Sequence, residues 1–237
     1  IKNSHKLNMK KRAIVISLGG SLIIPDKINY AFLNKFKDTL RKNYSKYRFI
    51  IVCGGGSIAR KYIAALKKEG KSTKEQSMAG IRATRMNAKF LIQFFGKESN
   101  YILPKNMKDV KNNINRNNVT ICGALRYSEN STTDETAAKL SHYLNSDFIN
   151  MTNVKGLYTS DPFKDKNAKF IQYISWKDFN NMAKKIKYHA GQHFILDQKA
   201  AIVINKNKIK TYIIGKDIKN LSNLLNKKKF IGTTISN

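Results

Sequence analysis

Two glycine clusters, Gly19-Gly20-Ser21 and Gly54-Gly55-Gly56, each follow a short apolar run in this 237-residue chain. A residue without a Cβ lets an anion reach several backbone N–H groups, and a helix start directly behind adds the positive end of its dipole. One such turn would equally serve as an ordinary tight turn. Two of them, each at the carboxyl end of a strand, favour phosphate binding, because ligands of open α/β sheets sit there. Arg60, one helical turn past the second cluster, projects back toward the same place. A third segment, 123–134 (GALRYSENSTTD), has no apolar pattern and ends in Ser131, Thr132, Thr133 and Asp134 where a helix begins. Hydroxyls and N–H groups at a helix start are good anion ligands, and Asp134 is placed to hold an ammonium, a lysine or a metal. An ordinary N-cap uses the same residue types.

The absent motifs narrow the chemistry. Gly54-Gly55-Gly56-Ser57-Ile58-Ala59 formally matches the dinucleotide fingerprint, but it sits on the second strand, and no strand-end acid follows about 20 residues on. The P-loop pattern and the protein-kinase signatures do not occur. No serine-hydrolase elbow is present. His189 and His193 are four apart without the Glu of a metalloprotease motif, so they read as structural, and Cys53 and Cys122 end buried strands as packing residues. These absences fit phosphoryl transfer to an acceptor that is already an anion, where positioning and charge neutralisation supply most of the catalysis.

The elements that must position these residues follow from periodicity. Buried strands are expected at Ala13–Leu18, Phe49–Cys53, Val119–Cys122, Asp147–Met151, Lys210–Ile214 and Phe230–Ile235, with a short one at Tyr101–Leu103 stopped by Pro104. Helices are expected over about 31–40, 57–68 with Ser57 as cap, 75–95, a polar stretch after Pro104, 131–144, a segment capped by Ser175, and 197–205. Residues 156–169 read as irregular. The alternation predicts an α/β protein, an α/β/α sandwich on a mainly parallel open sheet. A basic extension, 1–10, precedes a single domain, 11–237.

Composition excludes several classes. With 41% hydrophobic residues the chain can build a core, and no apolar run approaches the roughly 18 residues that cross a bilayer. No secretory signal is visible at the N-terminus, so a cytoplasmic protein is expected. Two cysteines make neither a disulfide framework nor a four-ligand zinc site. The net charge is +30, from 45 basic and 15 acidic residues. Such a charge steers anions inward, yet 37 of the basic residues are Lys, only 8 are Arg, and Asn occurs 26 times. Lys and Asn share A/T-rich codons, and the charge is scattered, so no specific nucleic-acid partner is expected.

Taken in order, the motifs resemble the amino acid kinase family, and within it the archaeal-type UMP kinases, over about Lys11 to Ile235. They are Gly19-Gly20-Ser21, the run from Gly54 to Arg60, and Ala83-Thr84-Arg85-Met86-Asn87-Ala88. Thr132-Thr133-Asp134 with Ala137-Ala138, the stretch from Thr152 to Pro162, Ala190-Gly191 with Leu196-Asp197 and Ala200-Ala201, and Gly232-Thr233-Thr234-Ile235 complete the set. The resemblance implies transfer of the ATP γ-phosphoryl to UMP, an acceptor-binding part to about residue 145 and an ATP-binding part after it. Gly20, Ser21, Gly56, Arg60, Thr152, Tyr158 and Asp161 would bind ATP, and Gly55, Thr132 and Thr133 would bind UMP. Asp134, Asp197 and Arg60 would organise the charges around the transferring group. Mg²⁺ would arrive with ATP, with no protein metal site, and three dimers would form a hexamer. Three departures stand out: Ser17 where many members carry Lys, Ser77 where similar UMP kinases carry Asp, and a longer 124–131 loop lacking Pro-Gly. The His that isopentenyl phosphate kinases place after the glycine loop is absent from 57–64. The alternatives are another phosphate-acceptor kinase of the family, or a non-catalytic nucleic-acid-binding protein on this fold.

Overall fold

A computed structural model describes residues 11–127, 132–185 and 196–237. In chain order the elements are β1 (Arg12–Leu18), α1 (Gly20–Ile23), α2 (Tyr30–Arg41), β2 (Tyr47–Cys53), α3 (Gly56–Lys68), α4 (Thr73–Phe95), α5 (Met107–Ile114), β3 (Val119–Cys122), α6 (Thr133–Tyr143) and β4 (Asp147–Met151). They continue with β5 (Leu157–Tyr158), β6 (Phe170–Ile171), β7 (Tyr173–Ile174), α7 (Trp176–Lys185), α8 (Gln198–Lys206), β8 (Thr211–Ile214), α9 (Ile218–Leu225) and β9 (Gly232–Ile235).

Seven strands form one sheet in the order β3-β2-β1-β4-β8-β9-β7, and β5 pairs with β6 as a separate ribbon. The run from β3 to β8 is parallel, while β9 lies antiparallel to β8. The central strands are apolar on both faces, which is what a sheet covered on both sides requires. Alternation splits them between two cores. Ile14, Ile16, Leu18, Phe49, Ile51, Ile149 and Met151 pack with α2, α4 and α9 on one face, and Val15, Ile50, Val52 and Phe148 pack with α5 to α8 on the other. The same alternation sends two polar residues, Ser17 and Asn150, toward the second face. They are register partners on the paired strands β1 and β4, and both are buried.

The sandwich and mainly parallel sheet agree with the sequence reading, with specific corrections. Tyr101–Leu103 is not a strand: Tyr101 is 95% exposed. The edge beside β3 is occupied instead by the Asn100 amide, which accepts from Ile121 N at 2.6 Å and donates to Ile121 O at 3.1 Å. The segment 156–169 contains β5 and is not wholly irregular. Ser57 does not cap α3, because Gly55 occupies that position and the Ser57 hydroxyl donates to Pro25 O at 3.0 Å. Ser175 does cap α7, accepting from Asp178 N at 3.1 Å. His189, His193, Ala190, Gly191 and Ser131 lie outside the described residues. Cys53 and Cys122 are free and buried, and burial pushes both thiols up, Cys122 to about 12, as packing residues require.

Candidate active site

The two glycine turns emerge from the carboxyl ends of adjacent strands, and they touch each other. A Cβ on Gly20 would lie 2.2 Å from Gly56 N, and one on Gly54 would lie 2.6 Å from Gly20 N. Gly56 also adopts a φ of +62°, which disfavours any side chain. These glycines are thus required by one another's backbone, a reason beyond the approach of a phosphate. Asn87 of α4 fixes the second turn by donating to Gly54 O at 2.7 Å. No side chain caps α3, which leaves its first-turn N–H groups to solvent or a ligand.

Below the turns, Ser17 donates to Asp134 Oδ1 at 2.7 Å, and Asn150 hydrogen-bonds the same carboxylate. Burial, with Asp197 close by as a second negative charge, pushes the Asp134 carboxyl up to about 7 against the two hydrogen bonds that hold it down. Asp134 is not the cap of its helix. Thr132 is, accepting from Glu135 N at 3.1 Å. The Thr132 hydroxyl in turn donates to Asp197, which caps α8 by accepting from Ala200 N at 2.9 Å. Two helix caps are therefore bonded to each other beside the buried carboxylate of Asp134.

The opposite wall runs from Thr152 to Lys164. Side-chain contacts hold it: Thr233 of β9 accepts from Leu157 N at 2.8 Å and donates to Ile171 O. Tyr158 meets Phe170 edge to face with centroids 5.4 Å apart. Asp161 closes its own turn by accepting from Phe163 N at 3.0 Å, and Thr159 accepts from Lys169 N at 2.9 Å.

Together these walls enclose a cavity of about 490 Å³. It brings together Gly20, Ser21, Gly55, Gly56, Arg60, Thr133, Asp134, Thr152, Tyr158 and Asp161. Thr132 and Asp197 stand behind that lining, and Ser77, on α4, does not reach it. Sequence reading singled out Ser17 only as a departure, and passed over Asn150, Asn153 and Lys164. The signal for the first two was present: a polar residue near the carboxyl end of an otherwise apolar strand, AIVISL and DFINM. On the other side of the turns, Thr84 accepts from Ala124 N at 3.0 Å, while Arg85 donates to Ala124 O and Leu125 O at 3.0 and 2.9 Å. Residues Thr84, Arg85 and Asn87 thus clamp both a glycine turn and the start of the 124–131 loop, and the loop itself lies outside the described residues from 128 to 131.

Arg60 is exposed and forms no ion pair with an acidic side chain among the described residues. A cationic side chain, uncapped helix N–H groups and a buried carboxylate of raised affinity for positive charge are the parts needed to hold anionic groups with a cation between them. One or two carboxylates completed by phosphate oxygens are the usual donors to Mg²⁺, so Asp134 fits that ion when a nucleotide supplies the rest.

Residues 12–215 match the amino acid kinase family. The uridylate kinase of Thermococcus onnurineus is 34% identical over 204 residues, spanning 86% of this chain and 90% of that protein. That of Thermoplasma volcanium is 34% identical over 224 residues, 94% and 97% of the two chains. The crystal structure of uridylate kinase from Archaeoglobus fulgidus superposes with a TM-score of 0.81 at 29% identity, over 94% of this chain and 99% of that one. A family match over residues 12–215 and relatives a third identical along most of the chain show that it belongs to the amino acid kinase family.

Proposed function

We propose that the protein is a UMP kinase that transfers the γ-phosphoryl of ATP to UMP, giving UDP and ADP for pyrimidine nucleotide synthesis in the cytoplasm. The observation that carries this is the shared cavity, where the glycine turns, Arg60 and Asp134 face the 152–164 wall, in a chain a third identical to uridylate kinases along most of its length. An oxygen of the UMP phosphate attacks the γ-phosphorus, the bond to the bridging oxygen of ATP breaks, and its electron pair leaves with ADP. The acceptor is already an anion, so no base is needed.

The residues divide as follows. Gly20, Ser21, Gly56 and Arg60 hold the ATP phosphates, with Thr152, Tyr158 and Asp161 on its nucleoside. Gly55 and Thr133 face the UMP phosphate, with Thr132 behind them. The part to about residue 145 holds the acceptor, and the part after it holds ATP. Ser17 brings a hydroxyl and no charge, so the charge that develops in transfer is met by the N–H groups of the turns and Mg²⁺, while Arg60 holds the phosphates already in the ground state. Mg²⁺ held by Asp134 and nucleotide phosphates would offset the charge that develops in transfer. Asp197 acts through its neighbours, holding Thr132 and setting the charge beside Asp134. The active unit is a homo-oligomer, a hexamer of three dimers.

An acceptor screen with MgATP tests the reading. Turnover of UMP with kcat/KM at least tenfold above CMP, dUMP and isopentenyl phosphate is expected. Preference for any other acceptor leaves only the family, and no turnover of any acceptor overturns the kinase assignment.

A further inference from the structure

The end of the sheet opposite the cavity carries two adjoining clefts. The larger, about 830 Å³, is lined by Lys11, Arg12, Arg48 and Lys111 with Tyr143, and among the described residues has no acidic residue in its lining. The second, about 500 Å³, shares Arg12 and Ala13 with the first and adds Lys210, Lys227 and Lys228 against a single carboxylate among the described residues, Asp147. These residues collect there because Arg12, Arg48 and Lys210 stand at the amino ends of the parallel strands β1, β2 and β8. Each cleft also pairs a ring with a cation: Lys111 Nζ lies 5.3 Å from the Tyr143 ring centre, and Lys210 Nζ lies 5.7 Å from that of Tyr212. Tyr143 is 42% exposed.

A basic path that continues from one concavity into the next, with rings set along it, has the chemistry of a groove for single-stranded nucleic acid. Cations follow the backbone there, and bases of any identity stack on aromatic faces. We propose that this end of the sheet binds single-stranded nucleic acid without sequence selectivity, independently of the phosphoryl-transfer cavity. The scarcity of Arg fits the lack of selectivity, since bidentate base readout is mainly an arginine task. A small anion would occupy one cleft; the continuity through Arg12 favours a polymer.

The test must separate this path from the general +30 charge. A labelled mixed-sequence 16-nucleotide RNA, single-stranded and as a duplex, is titrated by fluorescence anisotropy at about 150 mM salt and across a salt series. The triple variant Arg12→Glu, Lys111→Glu, Lys228→Glu is compared with Lys67→Glu, Lys71→Glu, Lys74→Glu, an equal charge change at the exposed α3–α4 turn. Melting temperatures and UMP kinase activity of both variants confirm that they fold. The path variant should bind single strands at least tenfold more weakly, its log–log salt slope reduced by about 2 for three lost phosphate contacts. The control should lose less than threefold, and Tyr143→Ala should weaken single-strand binding more than duplex binding. Saturating ATP and UMP should leave RNA binding unchanged. Equal losses from both triples, displacement by nucleotides, or no binding at about 150 mM salt would each overturn the proposal. None of these outcomes depends on which acceptor the enzyme prefers.

Discussion

The two walls of the cavity are built in different ways. On the glycine side, backbone meets backbone: Gly20, Gly54 and Gly56 are so close that none tolerates a Cβ, and Asn87 ties the turn to the middle of α4. On the 152–164 side the chain is held by side chains, chiefly Thr233 and the turns closed by Thr159 and Asp161, and it stands more exposed. The proposed phosphoryl transfer would account for the division. Phosphates must be placed to within a fraction of an ångström for in-line attack, and a wall without rotamers does that. The other wall, assigned to the ATP base and ribose, sets affinity and can move slightly without disturbing the reacting atoms.

The contrast is broken most severely at the glycines. Gly20→Ala places a methyl on the Gly56 backbone, and we expect kcat/KM to fall by roughly 10²-fold or more for both substrates, with a lower Tm. Gly80→Ala is the control, because its methyl meets only the tip of Ile63 at 3.3 Å. Steady-state kinetics on both variants would show whether tight backbone contact or loss of any glycine matters.

Asp134→Asn comes next. It should lower kcat by about 10²-fold while raising the stability of the nucleotide-free protein at pH 8. The sign follows from the carboxyl being pushed up to about 7 from 3.8. A raised folded-state value gives stability that is full below about pH 4 and is lost as pH rises through about 7. Asparagine removes that loss, so the slope of Tm between pH 4 and 8 should flatten. A variant that melts earlier than wild type at pH 8 would contradict the assigned burial of charge.

Asp197 separates a cap from an organiser of charge. Asparagine caps helices as well as aspartate does, so Asp197→Asn should keep Tm, lower kcat about tenfold and shift the pH profile as Asp134 loses its negative neighbour. Asp197→Ala should add about 1 kcal/mol of lost stability, seen as a fall in Tm of about 2–4 °C. Unchanged kcat in the asparagine variant would leave Asp197 as a cap alone.

The smallest effects should be confined to binding. Arg60→Ala should raise KM for at least one nucleotide about tenfold with kcat little changed. Thr233→Val, which strips the acceptor from Leu157 N, should raise KM for ATP a few-fold and leave that for UMP unchanged. Equal changes in both KM values would mean the two walls do not act separately.

Much of this was legible in the sequence because long-range position follows from short patterns. Apolar runs ending in glycine located β1 and β2, and hydroxyls before Ala137-Ala138 located the start of α6. Most of what escaped had no periodic signal; α9 is the exception, with Ile218, Leu221 and Leu225 on one helical face. The ribbon β5–β6 consists of two-residue strands, too short for alternation to show, and α1 is a single turn. Tyr101–Leu103 looked apolar enough for a strand, but a side-chain amide at Asn100 takes the backbone partners that a strand would have used. The Thr132–Asp197 link joins residues 65 apart, and no pattern within either helix reports it. Ser17 and Asn150 lay within reach, since their shared face follows from strand pairing once β1 and β4 are set side by side.

In the proposed mechanism one cavity holds both nucleotides, with their phosphates meeting at the glycine turns. This is tested most directly by equilibrium binding of a bisubstrate analogue, adenosine and uridine joined through five phosphates. One analogue is expected per protomer, displaced by ATP alone and by UMP alone, while ATP and UMP bind together without competing. Displacement by only one of them, or competition between ATP and UMP themselves, would contradict it.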